Sequence, residues 1–465
     1  MAELNAPSTP PATPGQTEAL LEAVRRKRAD VARRFAPGRG NGVHPEDVRN
    51  VLMIVSASRS GSSVLHYLLA RLPGVVSLNG EDSVFARLHG LGWAKSTDDS
   101  DFIAPGDSAA LRAAPLIAED ILADSGELAF HAPAGADTNL RENYLADSVQ
   151  RLLLQFPEAD VAPEELLRAC TTALGARDPS ARTFSAAEYW RATLEYLLAA
   201  GLNARLGYYD LRGSDPAADF PDRGNALPPP FSDVCLEEPP FVVPQPRRPP
   251  EPMEWKHKTL LLKSSSDCYR LWLIRRLFPN ARFKFVFLAR NPAAAINGLI
   301  DGWLSDGFYS QNLGHIAALD VSGYSRDDRP WTRKWWNFDL FPGWAQARDR
   351  PLEEVCARQW VAANQHMLGG IRSGLIEERL DVRYESFLEP RSLAATLSAI
   401  GAFAGLPGNP TVSAGNIPPV MSVTPPAPQK WRRRRDLLAG VVQGGEVAAL
   451  ARELGYDPSR WESWT

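Results

Sequence analysis

The sequence predicts an α/β protein built on a central parallel sheet, and three features point to it. Units in which a short apolar strand empties into a loop and then a helix recur along the chain. Their strands are continuous apolar runs rather than alternating ones, as strands covered on both faces are. At 465 residues, with 44% hydrophobic and 23% charged residues, the chain can bury a large core.

Taken in order, residues 1–16 are polar and proline-rich, without the apolar core of a signal peptide or anchor, and are expected to be disordered. Thr17 to Phe35 reads as a charged helix whose Arg/Lys run is a solvated face. Val51 to Val55 (VLMIV) is a buried strand, Ser56 to Ser63 a small-residue loop, and Val64, Leu65, Leu68, Leu69 and Leu72 fall at helical spacing. A second strand at Val75 to Leu78 leads into Asn79-Gly80-Glu81-Asp82. Residues 86–214 are mostly amphipathic helix and read as an insertion or cap, and 215–255 form a proline-rich extended segment expected to lie on the surface. The α/β pattern resumes over 256–465, so that 17–85 and 256–465 together make the α/β domain. Within it, strands are expected at 259–262, 283–288 and 380–384, with helices at 267–278, 352–376 and 393–404. A tryptophan-dense stretch, Trp331 to Trp344, is either core packing or the wall of a pocket for an apolar acceptor.

The loop Ser56-Ala57-Ser58-Arg59-Ser60-Gly61-Ser62-Ser63 carries the chemistry. A strand that runs into a helix N-terminus leaves backbone N–H groups aimed at one spot, where the helix dipole adds partial positive charge and favours an anion. Gly61 lets the backbone come close, Ser60, Ser62 and Ser63 offer hydroxyls, and Arg59 adds a planar cationic fork. The loop lacks the leading Gly and the Gly-Lys-Ser/Thr ending of a Walker A motif, and it holds no G-x-G-x-x-G. A serine-rich turn without a ligand is the plainer alternative. A net charge of −4 argues against a nucleic-acid or membrane-surface binder, and no run reaches the roughly 18 apolar residues of a membrane span. Cys170, Cys235, Cys268 and Cys356 are widely spaced without metal-ligand pattern, so no metal is expected and reduced thiols in the cytoplasm are.

The pattern S-x-S-R-S-G-S-S resembles the 5′-phosphosulfate loop of sulfotransferases that use 3′-phosphoadenosine 5′-phosphosulfate (PAPS), closest to branches with R-S-G-T-T, R-S-G-S-S or R-T-G-S-S. The resemblance implies a three-layer P-loop-like sandwich with a helical insertion, and cofactor contacts from Ser58, Arg59, Ser60, Gly61, Ser62 and Ser63. In FKFVFLARNPAAAINGLIDGW, Arg290 matches the family Arg that holds the 3′-phosphate; an ordinary helix-start arginine is the alternative. The family Ser that follows is replaced by Asn297 or lost at Gly298. Lys263, at the end of the strand Thr259 to Leu262, resembles a family Lys facing the transferring group, or is a surface lysine. Val382 to Phe387 resembles the family's R-Y-E-D-L or R-Y-E-D-F element, which packs the fold. Lys430, Trp431, Arg432 and Arg433 lie where the family has a basic loop over the 3′-phosphate, and could equally be a solvated helix start.

By the same resemblance Glu81 is the general base, with Asp82, His66, His89 and His131 as competitors. The implied activity is transfer of the sulfuryl group of PAPS to a hydroxyl on a small molecule or peptide, with Arg59, Glu81 and Lys263 catalytic. A nucleotide-dependent kinase is the first rival, weakened by the missing P-loop Lys. A non-catalytic member of the same fold that binds anions or partners is the second.

Overall fold

The computed structural model describes residues 14–37, 42–131, 139–211, 227–305, 307–387, 389–407 and 420–465. Of the stretch expected to be disordered, 1–13 lie outside the described residues, while 14–16 open the first helix; 212–214, at the end of the expected insertion, and 215–226 of the proline-rich segment also lie outside.

Helix α1 (Pro14–Phe35) is followed by β1 (Asn50–Val55), α2 (Ser62–Leu69), β2 (Val75–Ser77), α3 (Ser83–Leu88) and α4 (Ser108–Asp124). Strand β3 (Glu127–Leu128) pairs antiparallel with β4 (Arg247–Arg248), and α5 (Leu140–Gln155), α6 (Pro163–Leu174) and α7 (Ala186–Ala199) lie between them in sequence. Then come β5 (Thr259–Lys263), α8 (Leu271–Leu277), β6 (Arg282–Ala289) and α9 (Pro292–Leu304). The hairpin-like pair β7 (Tyr309–Asn312) and β8 (Trp335–Asn337) precedes α10 (Leu352–Arg372), β9 (Arg379–Arg383), α11 (Pro390–Ala404), α12 (Arg435–Val442) and α13 (Gly445–Glu453).

The main sheet has the order β2-β5-β1-β6-β9, and every pairing in it is parallel. Alternation along each strand sorts its side chains onto two covered faces. Val51, Met53 and Val55 of β1 join Leu260, Leu262, Phe285 and Phe287 in a core shared with α4, α8, α9 and α10. Leu52 and Ile54 pack with Leu261, Val286 and Leu288 against Leu65, Leu68 and Leu69 of α2 and Leu393, Leu397 and Ile400 of α11. The result is a three-layer α/β sandwich. From β1, in the middle, the chain builds first to one side (β2, β5) and then to the other (β6, β9), so the strand order reverses at the carboxyl end of β1, where open α/β sheets bind ligands.

The helical region divides. Helix α4 belongs to the sheet's core through Ala110, Ile117 and Ile121, whereas α5, α6 and α7 build a second core around Tyr144, Leu152, Leu166, Tyr189 and Trp190, joined by Val31 of α1. The proline-rich segment is not on the surface, as was expected. Phe231, Val234, Cys235, Leu236 and Phe241 are all under 10% exposed, with Val234 and Leu236 in the first core and Phe231, Cys235 and Phe241 in the second. Proline denies this stretch most of its regular hydrogen bonds, but not burial of its apolar side chains. The Arg/Lys face of α1 is likewise not all solvated, because Arg28 is 4% exposed and donates to Asp120 at 3.0 Å. The tryptophans Trp335, Trp336 and Trp344 are core residues. No described helix is long and apolar enough to cross a membrane.

Candidate active site

The loop between β1 and α2 is held in a conformation that L-residues rarely adopt. Arg59 has φ +63° and Gly61 φ +94°. A Cβ on Gly61 would lie 2.2 and 2.3 Å from Cδ2 and Cε2 of Tyr384, so glycine is required both by the dihedral and by the ring against it. Both reasons are separate from close approach to an anion, the use the sequence suggested for this glycine. Helix α2 starts at Ser62, and its first N–H groups have no partner within the helix.

A cleft opens over this loop. Its lining includes Ser58, Arg59, Gly61, Ser62, Ser63, Glu81, Lys263 and Arg290, so eight of the residues singled out from sequence meet in one place. Arg59 sends Nη1 to the Met421 carbonyl at 2.9 Å, and its guanidinium lies 5.3 Å from the Phe308 ring centre. Arg290 leaves β6 and is fixed by the start of α9, where the Asn291 side chain caps Ala294 N–H at 2.8 Å and the Asn291 N–H donates to Glu385 at 2.9 Å. From there Arg290 Nη1 donates to the Arg59 carbonyl at 2.9 Å, and the guanidinium stacks 4.4 Å from the Tyr384 ring. Lys263, at the end of β5, bonds Glu81 and donates to Ser63 Oγ at 3.0 Å. One cation therefore braces the loop's backbone, and another its hydroxyl.

Several expected residues have other partners. The Ser58 hydroxyl donates to Asp339 at 2.7 Å, and Tyr269 donates to the other oxygen at 2.8 Å; burial raises the Asp339 pKa to about 6 against those two bonds. Ser60 is 1% exposed and does not line the cleft. Asn297 accepts from Arg434 at 2.7 Å. A Cβ on Gly298 would stand 3.2 Å from Arg59 Cβ, a tight contact with the stem of that arginine. Lys430 and Arg434 both bind Asp301 (2.5 and 2.6 Å) and, against its burial, hold that carboxyl below its usual pKa. Arg433 lines a separate hollow with Asp301, Lys430 and Arg434, Arg432 donates to the Glu462 carbonyl at 3.1 Å, and Trp431 is 1% exposed with its ring 5.0 Å from Trp461. Trp431 is thus a core residue in this structure, buried by the same apolar drive that exposes its arginine neighbours.

Among the rivals to Glu81, no histidine lines the cleft. His66 is held neutral, with burial and the nearby Lys263, Arg247 and Arg71 bringing its pKa to about 3. His89 bonds Asp120 at 2.7 Å, and burial lowers the pKa of His131. Asp82 is 3% exposed and lies beside the fully buried Asp267; burial raises both pKa values, Arg270 opposes the rise in both, and the charge of Glu81 on each and of Asp82 on Asp267 adds to it.

Sequence reasoning missed Arg87, Glu238, Phe308, Phe338 and Met421, all of which line the cleft. Backbone strain marks two of them: of the four described non-glycine residues with positive φ, Arg59, Phe338 and Met421 all border it. Phe338 (φ +61°) stacks on Phe308 at 4.4 Å, and a Cβ on Gly302 would stand 2.2 Å from its ring. The one sequence signal available was Gly302 in α9. Among the described residues no group of three or more His, Cys, Asp or Glu is placed to hold a metal ion.

No family model matches the chain, and no curated protein does. Among solved structures it is similar to the sulfotransferase domain from the curacin biosynthetic pathway, at TM-score 0.34 and 12% identity over 88% of this chain and 99% of that one. The sulfotransferase domain of the Synechococcus PCC 7002 olefin synthase gives 0.33 and 13% over 90% and 99%. A sulfotransferase from Alicyclobacillus acidocaldarius gives 0.31 and 13% over 89% and 99%.

Proposed function

We propose that the cleft binds PAPS and that the chain transfers its sulfuryl group to a hydroxyl acceptor. One observation carries this reading: Arg59, Lys263, Arg290 and the N-terminus of α2 converge in a cleft at the point where the strand order reverses. The residues fit a ligand with two anionic ends. Arg290 Nε is buried with no hydrogen-bond partner among the described residues, a donor that a phosphate would satisfy.

When bound, PAPS supplies a sulfuryl group already activated by its anhydride bond to phosphate. The chain's part is to bind and orient. Arg59, Ser62, Ser63 and the first N–H groups of α2 would hold the 5′-phosphosulfate, and Lys263 would face the oxygen on which charge grows. Arg290 would take the 3′-phosphate, with Lys430, Arg432 and Arg433 supporting it from further out, since Lys430 already has Asp301 as partner. Glu81 and Glu238 are cleft carboxylates able to receive the acceptor's proton. All four cysteines are buried free thiols, which suits a reducing compartment such as the cytoplasm.

A thermal-shift comparison of adenosine 3′,5′-bisphosphate, ATP with Mg²⁺, and NADPH tests the reading. A ligand at about 100 times its dissociation constant stabilises by roughly 2.7 kcal/mol, and the bisphosphate should give the largest shift. A larger shift with ATP and Mg²⁺ would favour a kinase.

A further inference from the structure

Part of the cleft is lined by a segment that the sheet does not supply. Residues 227–248 pass between the two cores, and two adjacent carboxylates on it have different fates. Both border the cleft, but Glu237 is 7% exposed and bound to Arg151 at 2.7 Å and Gln155 at 2.6 Å. Glu238 lines the cleft with its side chain 28% exposed and receives Arg87 Nη2 at 3.3 Å. Beside its charged residues the cleft has an apolar lining of Val84, Leu236, Pro240, Val242, Phe308 and Phe338.

Resting on the sulfuryl-transfer reading, we propose that Glu238 is the general base of the reaction and that the acceptor is a hydroxyl compound with an apolar body. Glu81 is poorly suited to the base's role because it is ion-paired with Lys263, and a proton on Glu81 would dissolve the pair that sets the lysine. Glu81 is instead a positioning residue for Lys263. Glu238 is paired more loosely, with Arg87 at 3.3 Å, and Arg87 is none of the cations placed at the phosphosulfate, so a proton on Glu238 leaves those in position. Burial raises its pKa to about 7; Arg87 from α3 and Ser310 from β7 oppose the rise, and the charges of Glu81 and Asp101 add to it. Cys235, on the same segment, also feels the Glu238 charge. A base that titrates near the working pH is matched to accepting a proton in the transition state.

In the step, the acceptor oxygen forms its bond to sulfur as its proton passes to a Glu238 oxygen. The bond between sulfur and the bridging phosphate oxygen breaks, and that oxygen keeps the electron pair. Partial exposure of Glu238 lets the proton leave to solvent afterwards.

The test uses the full chain, PAPS as donor, and 2-naphthol and 1-decanol as acceptors, with release of adenosine 3′,5′-bisphosphate as the readout. Glu238→Gln should lower turnover by about 10²–10⁴, more for decanol than for naphthol, whose proton leaves more easily. The acid limb near pH 7 should vanish in this variant and persist in Glu81→Gln. Without turnover, 2-naphthol binding followed by its fluorescence should tighten between pH 6 and 8 in the parent and stay flat in Glu238→Gln. Calorimetry of the bisphosphate should give the same affinity for both proteins. Equal losses with both acceptors, or an unchanged acid limb, would overturn Glu238 as base. A parent that binds the bisphosphate but sulfates neither compound would overturn the acceptor class. A parent that does not bind the bisphosphate would overturn the sulfuryl-transfer reading itself.

Discussion

Substituting Gly61 by alanine tests the loop without assuming its ligand. The new Cβ would meet the Tyr384 ring at 2.2 Å, more than 1 Å inside ordinary contact, and the backbone there has φ +94°. The ring cannot simply step aside, because it lies under Arg290 at 4.4 Å and edge-on to Phe387 at 5.6 Å. Overpacking of this kind costs about 1–3 kcal/mol, and a left-handed dihedral about 1–2 kcal/mol for a residue with a Cβ. Gly61→Ala should therefore lose roughly 2–5 kcal/mol in urea unfolding. Pairing it with Tyr384→Ala removes the clash and leaves the dihedral, so the double variant should be more stable than the sum of the single losses predicts, by about 1–3 kcal/mol. Additive losses, or a single-variant loss below about 1 kcal/mol, would refute the packing argument.

Arg290→Ala removes both the bond to the Arg59 carbonyl and the proposed 3′-phosphate ligand. Losing a buried charged partner costs about 2–5 kcal/mol, so calorimetry should show adenosine 3′,5′-bisphosphate weakened about 30-fold to several thousand-fold at 1.4 kcal/mol per decade; 5′-AMP should lose only about tenfold through the loosened loop, and equal losses would confine Arg290 to bracing the loop. The buried carboxyls of Asp82 and Asp267 both have folded pKa values above their unfolded ones, so the folded chain binds more protons and stability falls as pH rises, by about 1.4 kcal/mol per pH unit for each proton retained. Asp267→Asn imitates the protonated partner, so its stability relative to the parent should climb between pH 5 and 8; parallel curves in urea unfolding at several pH values would show that the pair holds no extra proton.

The sheet was legible because four of its strands announce themselves. VLMIV, TLLL and FKFVFL are apolar runs that only a sandwiched strand explains, and LDVRY follows a long helix as the next strand should. Strands β7 and β8 were not legible, since YSQN has no apolar alternation and its partner WWN lies more than twenty residues away. Lys263 and Arg290 could be read because each sits at a strand's end, and Arg59 because it lies in the loop that follows one, positions the pattern marks; Arg87, on α3, could not. Glu238 could not, because it lies among prolines with no period, and its pKa is set by burial, by Arg87 and Ser310 opposing that burial and by the charge of Glu81 adding to it, all contributed by residues distant in sequence. Charge counting also failed at the basic run. It cannot tell that Asp301 engages Lys430 and Arg434, or that Trp431 within the run is buried on Trp461.

The same distance in sequence explains why the helical region matters to a cleft formed by the sheet. Arg151 of α5, 1% exposed, bonds Asp124 at the end of α4 at 2.7 Å and Glu237 at 2.7 Å. A Cβ on Gly80 would stand 2.7 Å from Glu237 and 2.9 Å from Arg151, so the residue just before Glu81 rests directly on this ion triad. Buried ion pairs add little net stability, because desolvation offsets their attraction. Their geometry is strict, however, and here it fixes three chain segments at once. Glu237 sets the segment that carries Glu238, Gly80 sets the turn that carries Glu81, and Asp124 receives the Asn79 N–H at 3.1 Å in that same turn. Glu81 and Glu238 are therefore both positioned from one guanidinium in the second core, and the loop between β1 and α2 is positioned from the sheet. The two walls of the cleft keep their spacing because a helix remote from the chemistry holds one of them.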